Sequence, residues 1–172
     1  ADRDATLAQI RALERCGCDI VRFTVNSAAA VANIPYFLEH TPLPLVADIH
    51  FDYKLAIDAA EAGISKIRIN PGNIGDDDRV RAVARTCARL GVPVRVGVNG
   101  GSLERQIAAK YGAPTAEALA ESALENIRRL ERFGFDELVV SVKSSDVKLM
   151  IEANRLIAAA CPYPLHLGVT EA

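Results

Sequence analysis

Helix-like and strand-like segments alternate along this chain almost without interruption, and that alternation limits its possible folds more than any other feature. Residues 3–16 place Leu7, Ile10 and Leu13 at helical spacing and stop at Gly17, after which 20–25 reads as a strand. The stretch 27–40 is open between one helix and two short ones broken by Pro35. The pattern then predicts a strand over 44–49, a helix over 53–62 ending at Gly63, a strand over 66–69 and a loop over 70–75. A helix over 77–90 ends at Gly91, and 93–98 is the next strand. Beyond a Gly-Gly loop, helices cover 102–111 and 115–133, the second turning Leu119, Leu124, Ile127 and Leu130 inward. A strand over 137–142, a helix over 146–160 and a strand over 165–169 complete the chain.

Short β-branched strands, each preceded by a helix, specify an α/β fold with a parallel sheet covered by helices. A closed (β/α)8 barrel takes roughly 250 residues. The 172 residues therefore predict a partial TIM barrel of about six βα units, one domain over 1–172, short by about one unit at either end. The chain opens at Ala1 without Met, already in a helical pattern, so a trimmed or partial sequence is expected. Half of it is hydrophobic, enough for a sizeable core.

A net charge of -2 and a pI near 6.0 exclude a general nucleic-acid surface, so any anion site has to be local. No apolar run reaches the roughly 18 residues of a membrane span and no signal-peptide pattern opens the chain, which makes cytoplasmic residence the expectation. Cys16 and Cys18 form C-x-C rather than C-x-x-C, and Cys87 and Cys161 are far away. All four read as small hydrophobes of a reduced protein, and none as a metal ligand.

In a barrel the working residues lie at the carboxyl ends of strands and in the loops that follow. The successive strands deliver Arg22; Asp48 and His50; Arg68 and Asn70; Arg95 and Asn99; Ser141, Lys143, Ser144 and Asp146; and His166, Thr170 and Glu171. Arginine and lysine are rarely buried unpaired, so three arginines and a lysine in a parallel sheet imply an anion that meets them. Arginine's fork fits phosphate oxygens in pairs, and lysine adds a point charge. Each element also has a plainer reading. Arg22 can pair with a carboxylate, and Asp48 and His50 can form a structural pair or part of a metal site. The Asn70-Pro71-Gly72-Asn73 segment suits a turn, Gly100-Gly101-Ser102 suits either a phosphate cradle or a helix cap, and Lys143 can snorkel to solvent.

Several strings make the match specific: PLVADIHFDYKLAIDAAEAGISKIRINPGNIG at 44–75, VRVGVNGGSLE at 94–104, KYGAPTAEALAESAL at 110–124, SVKSSDV at 141–147 and PLHLGVTEA at 164–172. In this order and spacing they resemble the barrel domain of bacterial-type 4-hydroxy-3-methylbut-2-enyl diphosphate synthases over essentially the whole chain. The resemblance implies the reductive ring opening of 2-C-methyl-D-erythritol 2,4-cyclodiphosphate in non-mevalonate isoprenoid synthesis. Ferredoxin or flavodoxin supplies electrons through a 4Fe-4S cluster, held by a C-terminal domain that closes over a barrel mouth of a homodimer. It also implies roles by position. Arg22, Arg68, Arg95 and Lys143 are the diphosphate clamp, Asn70 and Asn99 supporting donors, and Ser141 and Ser144 hydroxyl donors. Asp48 and His50 orient the clamp, and Glu171 is the catalytic acid that handles protons. The cluster domain lies outside these residues, so the chain alone is expected to bind no cluster and to catalyse nothing.

Two other readings remain open. A different phosphate-binding barrel, such as a pterin-synthesis or aldolase-like enzyme, would use Lys143 as a Schiff-base former or general base. A non-catalytic binding piece is the other.

Overall fold

The computed structural model describes residues 2–169. Five strands form one sheet: β1 (Val21–Thr24), β2 (Leu45–Asp48), β3 (Lys66–Ile69), β4 (Val94–Asn99) and β5 (Leu138–Lys143). They lie in chain order, every neighbouring pair parallel. Parallel neighbours need long crossovers, and helices supply them. Helix α1 (Arg3–Arg15) precedes β1, and α2 (Ala28–Ala32) and α3 (Ile34–His40) join β1 to β2. Next come α4 (Tyr53–Glu61) before β3 and α5 (Asp77–Leu90) before β4. A 3-10 turn (Gly100–Ser102), α6 (Arg105–Tyr111) and α7 (Ala116–Glu131) lead to β5, and α8 (Val147–Ala160) follows it. The arrangement is that of a partial TIM barrel.

Local chemistry fixes most boundaries. Asp2, Asp52, Asp76, Thr115 and Asp146 cap helix N-termini through side-chain oxygens that accept from first-turn N–H groups. Helix α5 ends at Gly91, whose φ of 65° is the left-handed conformation that glycine adopts without penalty. The 27–40 stretch resolves as two helices. Pro35 lies in the first turn of α3, where its missing N–H costs nothing, and the break precedes it at Asn33. The expected helix over 102–111 begins later, at Arg105, behind the 3-10 turn.

The expected sixth strand over 165–169 shrinks to one bridge. Val140 N–H donates to the Pro164 carbonyl at 2.9 Å, His166 N–H donates to the Val140 carbonyl at 2.8 Å, and Val140 pairs with Leu165. Among the described residues the segment touches the sheet on β5 alone, and a one-sided ladder closes no further turns.

The core lies between the sheet and the helices. Paired residues in a parallel sheet share a face, and side chains alternate along each strand. One face carries Val21, Leu45, Ala47, Ile67, Ile69, Val94, Val96, Val98, Leu138, Val140 and Val142, all buried against residues such as Ile10, Ala59, Val83, Leu119, Ile127 and Ile157. Cys87 belongs to this layer, and burial pushes its thiol up to about 12. Among the described residues no helix is long and apolar enough to cross a membrane.

Candidate anion site on the inner face of the sheet

The opposite parity makes the other face polar. Register aligns Arg22 with Val46 and Lys66; Thr24 with Asp48, Arg68, Arg95 and Val139; Gly97 with Ser141; and Asn99 with Lys143. Arg22, Lys66, Arg68, Arg95 and Lys143 therefore share one side of the sheet with Asp48, the one carboxylate among the described residues of that face. A TIM-barrel interior is ordinarily filled by layers of branched aliphatic residues. Here Val46 and Val139 are the aliphatic members, so the face is built for charge.

Asp48 is the hub of the pairing. It is 4% exposed and accepts from both Arg22 and Arg68, the latter at 3.0 Å from Nη1 to Oδ1. Arg68 lies across β4, and its Nη2 donates to the Gly97 carbonyl at 3.4 Å. A β-carbon on Gly97 would collide with that guanidinium, so the glycine provides the room in which Arg68 lies. Arg68 Nε is buried and has no partner among the described residues.

Among the described residues Arg95 pairs with no carboxylate. Its Nη1 donates to Ser141 Oγ at 2.8 Å, and that hydroxyl approaches the Val96 carbonyl at 3.4 Å. Burial first, then repulsion from Arg22 and Arg68, pulls its pKa down to about 10. Lys143 is likewise lowered, by burial and then by Arg95, Arg22 and Arg68. Groups that depress one another's charged forms are an unsatisfied positive site, the state that a polyanion relieves.

The remaining expected residues occupy different positions around this face. Asn70 follows β3, buried, and Asn99 ends β4. Ser141 holds Arg95, whereas Ser144 shapes the turn into α8 by accepting from Asp146 N–H at 3.1 Å. His50 lies 3.9 Å from Asp48, too far for a hydrogen bond, with its ring half exposed beside Phe51. Glu171 and Thr170 lie outside the described residues. The Gly100-Gly101-Ser102 segment forms the 3-10 turn, with Ser102 Oγ against the Asn99 carbonyl at 3.5 Å.

Sequence reasoning passed over Lys66, Gly97, Glu104 and Asn126. The period-two alternation in KIRIN and VRVGVN carries the first two: every second residue of those strands faces inward. A groove of about 1170 Å³ beside α6 and α7 mixes Arg105, Arg128 and Arg132 with Asp77, Glu125 and Glu131. Its charges cancel, which leaves the inner face as the candidate anion site.

His166 joins the site from beyond the bridge. Burial first, then Arg95, Lys143, Arg22 and Lys66, pushes its imidazole down to about 4 from the usual 6.5. Between those values the unfolded chain holds a proton that the folded chain lacks, so stability is present above 6.5 and lost as pH falls towards 4. Solvent screening limits the contribution to about 1 kcal/mol. In urea denaturation at pH 7 and pH 5, His166→Asn is expected to lose less stability on acidification than the parent; equal losses would contradict this.

No three His, Cys, Asp or Glu side chains gather as a metal site among the described residues. Cys16 is exposed, Cys87 is buried in the helix layer, and neither lies with Cys18 or Cys161 in a ligand motif. These residues do not fit an iron–sulfur cluster.

Comparison with known proteins agrees with the architecture. A synthase of Fusobacterium nucleatum named 4-hydroxy-3-methylbut-2-en-1-yl diphosphate synthase (flavodoxin) is 52% identical over 172 residues, 100% of this chain and 49% of its own. The enzyme of the same name from Geobacillus thermodenitrificans is 54% identical over 171 residues, 99% of this chain and 46% of its own. The chain thus spans about half the length of these curated relatives. Among solved structures, a dihydropteroate synthase of Xanthomonas albilineans superposes with a TM-score of 0.62 at 17% identity, covering 95% of this chain and 63% of its own. That of Yersinia pestis gives 0.62 at 14% identity, covering 92% and 60%. At such identities these two support the barrel fold alone. Residues 1–172 match the GcpE TIM-barrel domain from end to end, and the chain belongs to that family.

Proposed function

We propose that this chain is the substrate-binding half of a 4-hydroxy-3-methylbut-2-enyl diphosphate synthase, and that its inner face grips the diphosphate of 2-C-methyl-D-erythritol 2,4-cyclodiphosphate. The observation that supports this best is the set of Arg22, Lys66, Arg68, Arg95 and Lys143 on one face against, among the described residues, the single carboxylate of Asp48. Arg68 and Arg95 are buried and pre-oriented, by Asp48 and Ser141 respectively, so little side-chain freedom is lost when phosphate oxygens arrive. Lys143 and Arg22, more exposed, close on the anion from the strands on either side.

The chain's own contribution to the ring opening is binding and orientation. Holding the diphosphate fixed keeps the reacting carbon in one place, and positioning of that kind lowers barriers by roughly 7–11 kcal/mol in favourable cases. Glu171 is proposed as the acid that protonates the departing oxygen, which is general-acid work for a carboxyl group. The redox step belongs to a 4Fe-4S domain elsewhere in the longer protein, reduced by flavodoxin, the donor in the relatives' names, or by ferredoxin. The longer protein is proposed to work as a homodimer in the cytoplasm, and the chain by itself to turn over no substrate.

Calorimetric titration with inorganic pyrophosphate tests the anion site directly. The chain is expected to bind with a dissociation constant below about 1 mM, weakening steeply as salt is raised. Absence of both heat and any shift in unfolding midpoint at about 10 mM pyrophosphate would overturn the reading.

A further inference from the structure

We propose that Asn126 of α7 is a positioning residue for this site, turning the Asn70 side chain so that its NH2 group, and not its carbonyl, meets the anion. The inference rests on the diphosphate reading above. Asn70 Oδ1 accepts twice, from Gly72 N–H at 3.0 Å and from Asn126 Nδ2 at 3.3 Å. A side-chain amide has one accepting and one donating end. With the accepting end occupied, the donating end has to face the other way, and there Nδ2 is buried without a partner among the described residues. The flipped amide would set its NH2 against two other donors, the Gly72 N–H and the Asn126 NH2, so this network admits one orientation.

Asn126 is in turn locked. Its NH2 has two hydrogens and three acceptors, Glu104 Oε1 at 2.7 Å, the Ser122 carbonyl at 3.0 Å and Asn70 Oδ1 at 3.3 Å, so one hydrogen is shared between acceptors, while Ser122 Oγ donates to Glu104 Oε2 at 2.6 Å. The Glu104 carboxylate lies flush on Gly72, where a β-carbon would collide with it. One turn of α7 thereby ties the loop after β3 to the loop after β4. Arg129 fastens the rest of the first loop, donating to the carbonyls of Pro71 at 2.6 Å and Gly75 at 2.7 Å. Asn70 stands two residues beyond Arg68, just past the end of β3, and in this proposal its unpartnered NH2 continues the row of donors there. Asn126 touches no ligand in this scheme and acts through Asn70 alone.

A double-mutant cycle read by pyrophosphate titration separates this role from a structural one. Asn70→Ala is expected to weaken binding roughly tenfold, Asn126→Ala by a similar factor, and the double variant no more than Asn70→Ala alone. Should Asn126→Ala fail to fold, Asn126→Ser, which keeps a hydroxyl donor in a smaller volume, takes its place in the cycle. If the parent chain binds and Asn126→Ala binds equally well, or if its loss adds in full to that of Asn70→Ala, the positioning role is overturned and the anion site stands. If the parent chain does not bind pyrophosphate, the site reading fails and this inference fails with it.

Discussion

Asp48→Asn is expected to lower the unfolding free energy by about 3–5 kcal/mol, the usual cost of breaking a buried ion pair from one side. Asp48 is buried, accepts from Arg22 and Arg68, and lies among Lys66, Arg95 and Lys143 without another carboxylate on the described face. Removing its charge keeps the shape but leaves Arg68, itself buried, without a counter-ion. The same logic predicts a rescue. An anion that binds only the folded state stabilises by RT ln(1 + [L]/Kd), and it takes over the neutralising duty that Asp48 performs. Urea denaturation with and without pyrophosphate checks this: the variant's midpoint is expected to rise by more than the parent's. A variant as stable as its parent without ligand would show that Asp48 does not hold the arginines.

Arg95→Met is expected to act in the opposite direction on stability while weakening the proposed anion binding. Arg95 is 4% exposed and bonded to a neutral hydroxyl, and burial with repulsion from Arg22 and Arg68 pulls its pKa down to about 10, so the fold disfavours its charge. Methionine fills a similar volume without that charge, although Ser141 loses its partner. The net expectation is a gain of about 1–3 kcal/mol, seen as an unfolding midpoint higher by roughly 2–4 °C per kcal/mol. Pyrophosphate affinity is expected to fall at least ~30-fold, as for other truncated charge pairs. Unchanged affinity, or a destabilised variant, would mean that Arg95 is a structural residue.

The alternation of helices and strands was legible because caps, glycine stops and β-branched runs act locally; Gly91 and Asp76 bound α5 where the pattern places them. Arginines at 22, 68 and 95 were legible as anomalies, being charges inside strands. Their pairing was not, because whether Arg22 meets Asp48 or a ligand depends on register between segments distant in sequence. The role of Gly97 was hidden for a related reason, since a glycine within a strand does not name the side chain that lies over it. Asn126 was the least legible. It reads as one more polar position on α7, and only the loops folded beneath it give its amide something to hold. The end of the sheet is shorter than the sequence suggests, because 165–169 has strand chemistry and yet pairs with β5 at one residue.

The division of each strand into an aliphatic side and a charged side has a further consequence for how the chain finds its pairing. Slipping a strand by one residue exchanges its two sides. For β3 that would drive Arg68 into the oily layer beneath α4 and lift Ile67 and Ile69 into the cation field. Ordinary half-buried strands lose apolar contact when they slip; here an ionised guanidinium would also have to leave water for hydrocarbon. The residues proposed to bind the anion thus penalise misaligned sheets during assembly, before any ligand is present.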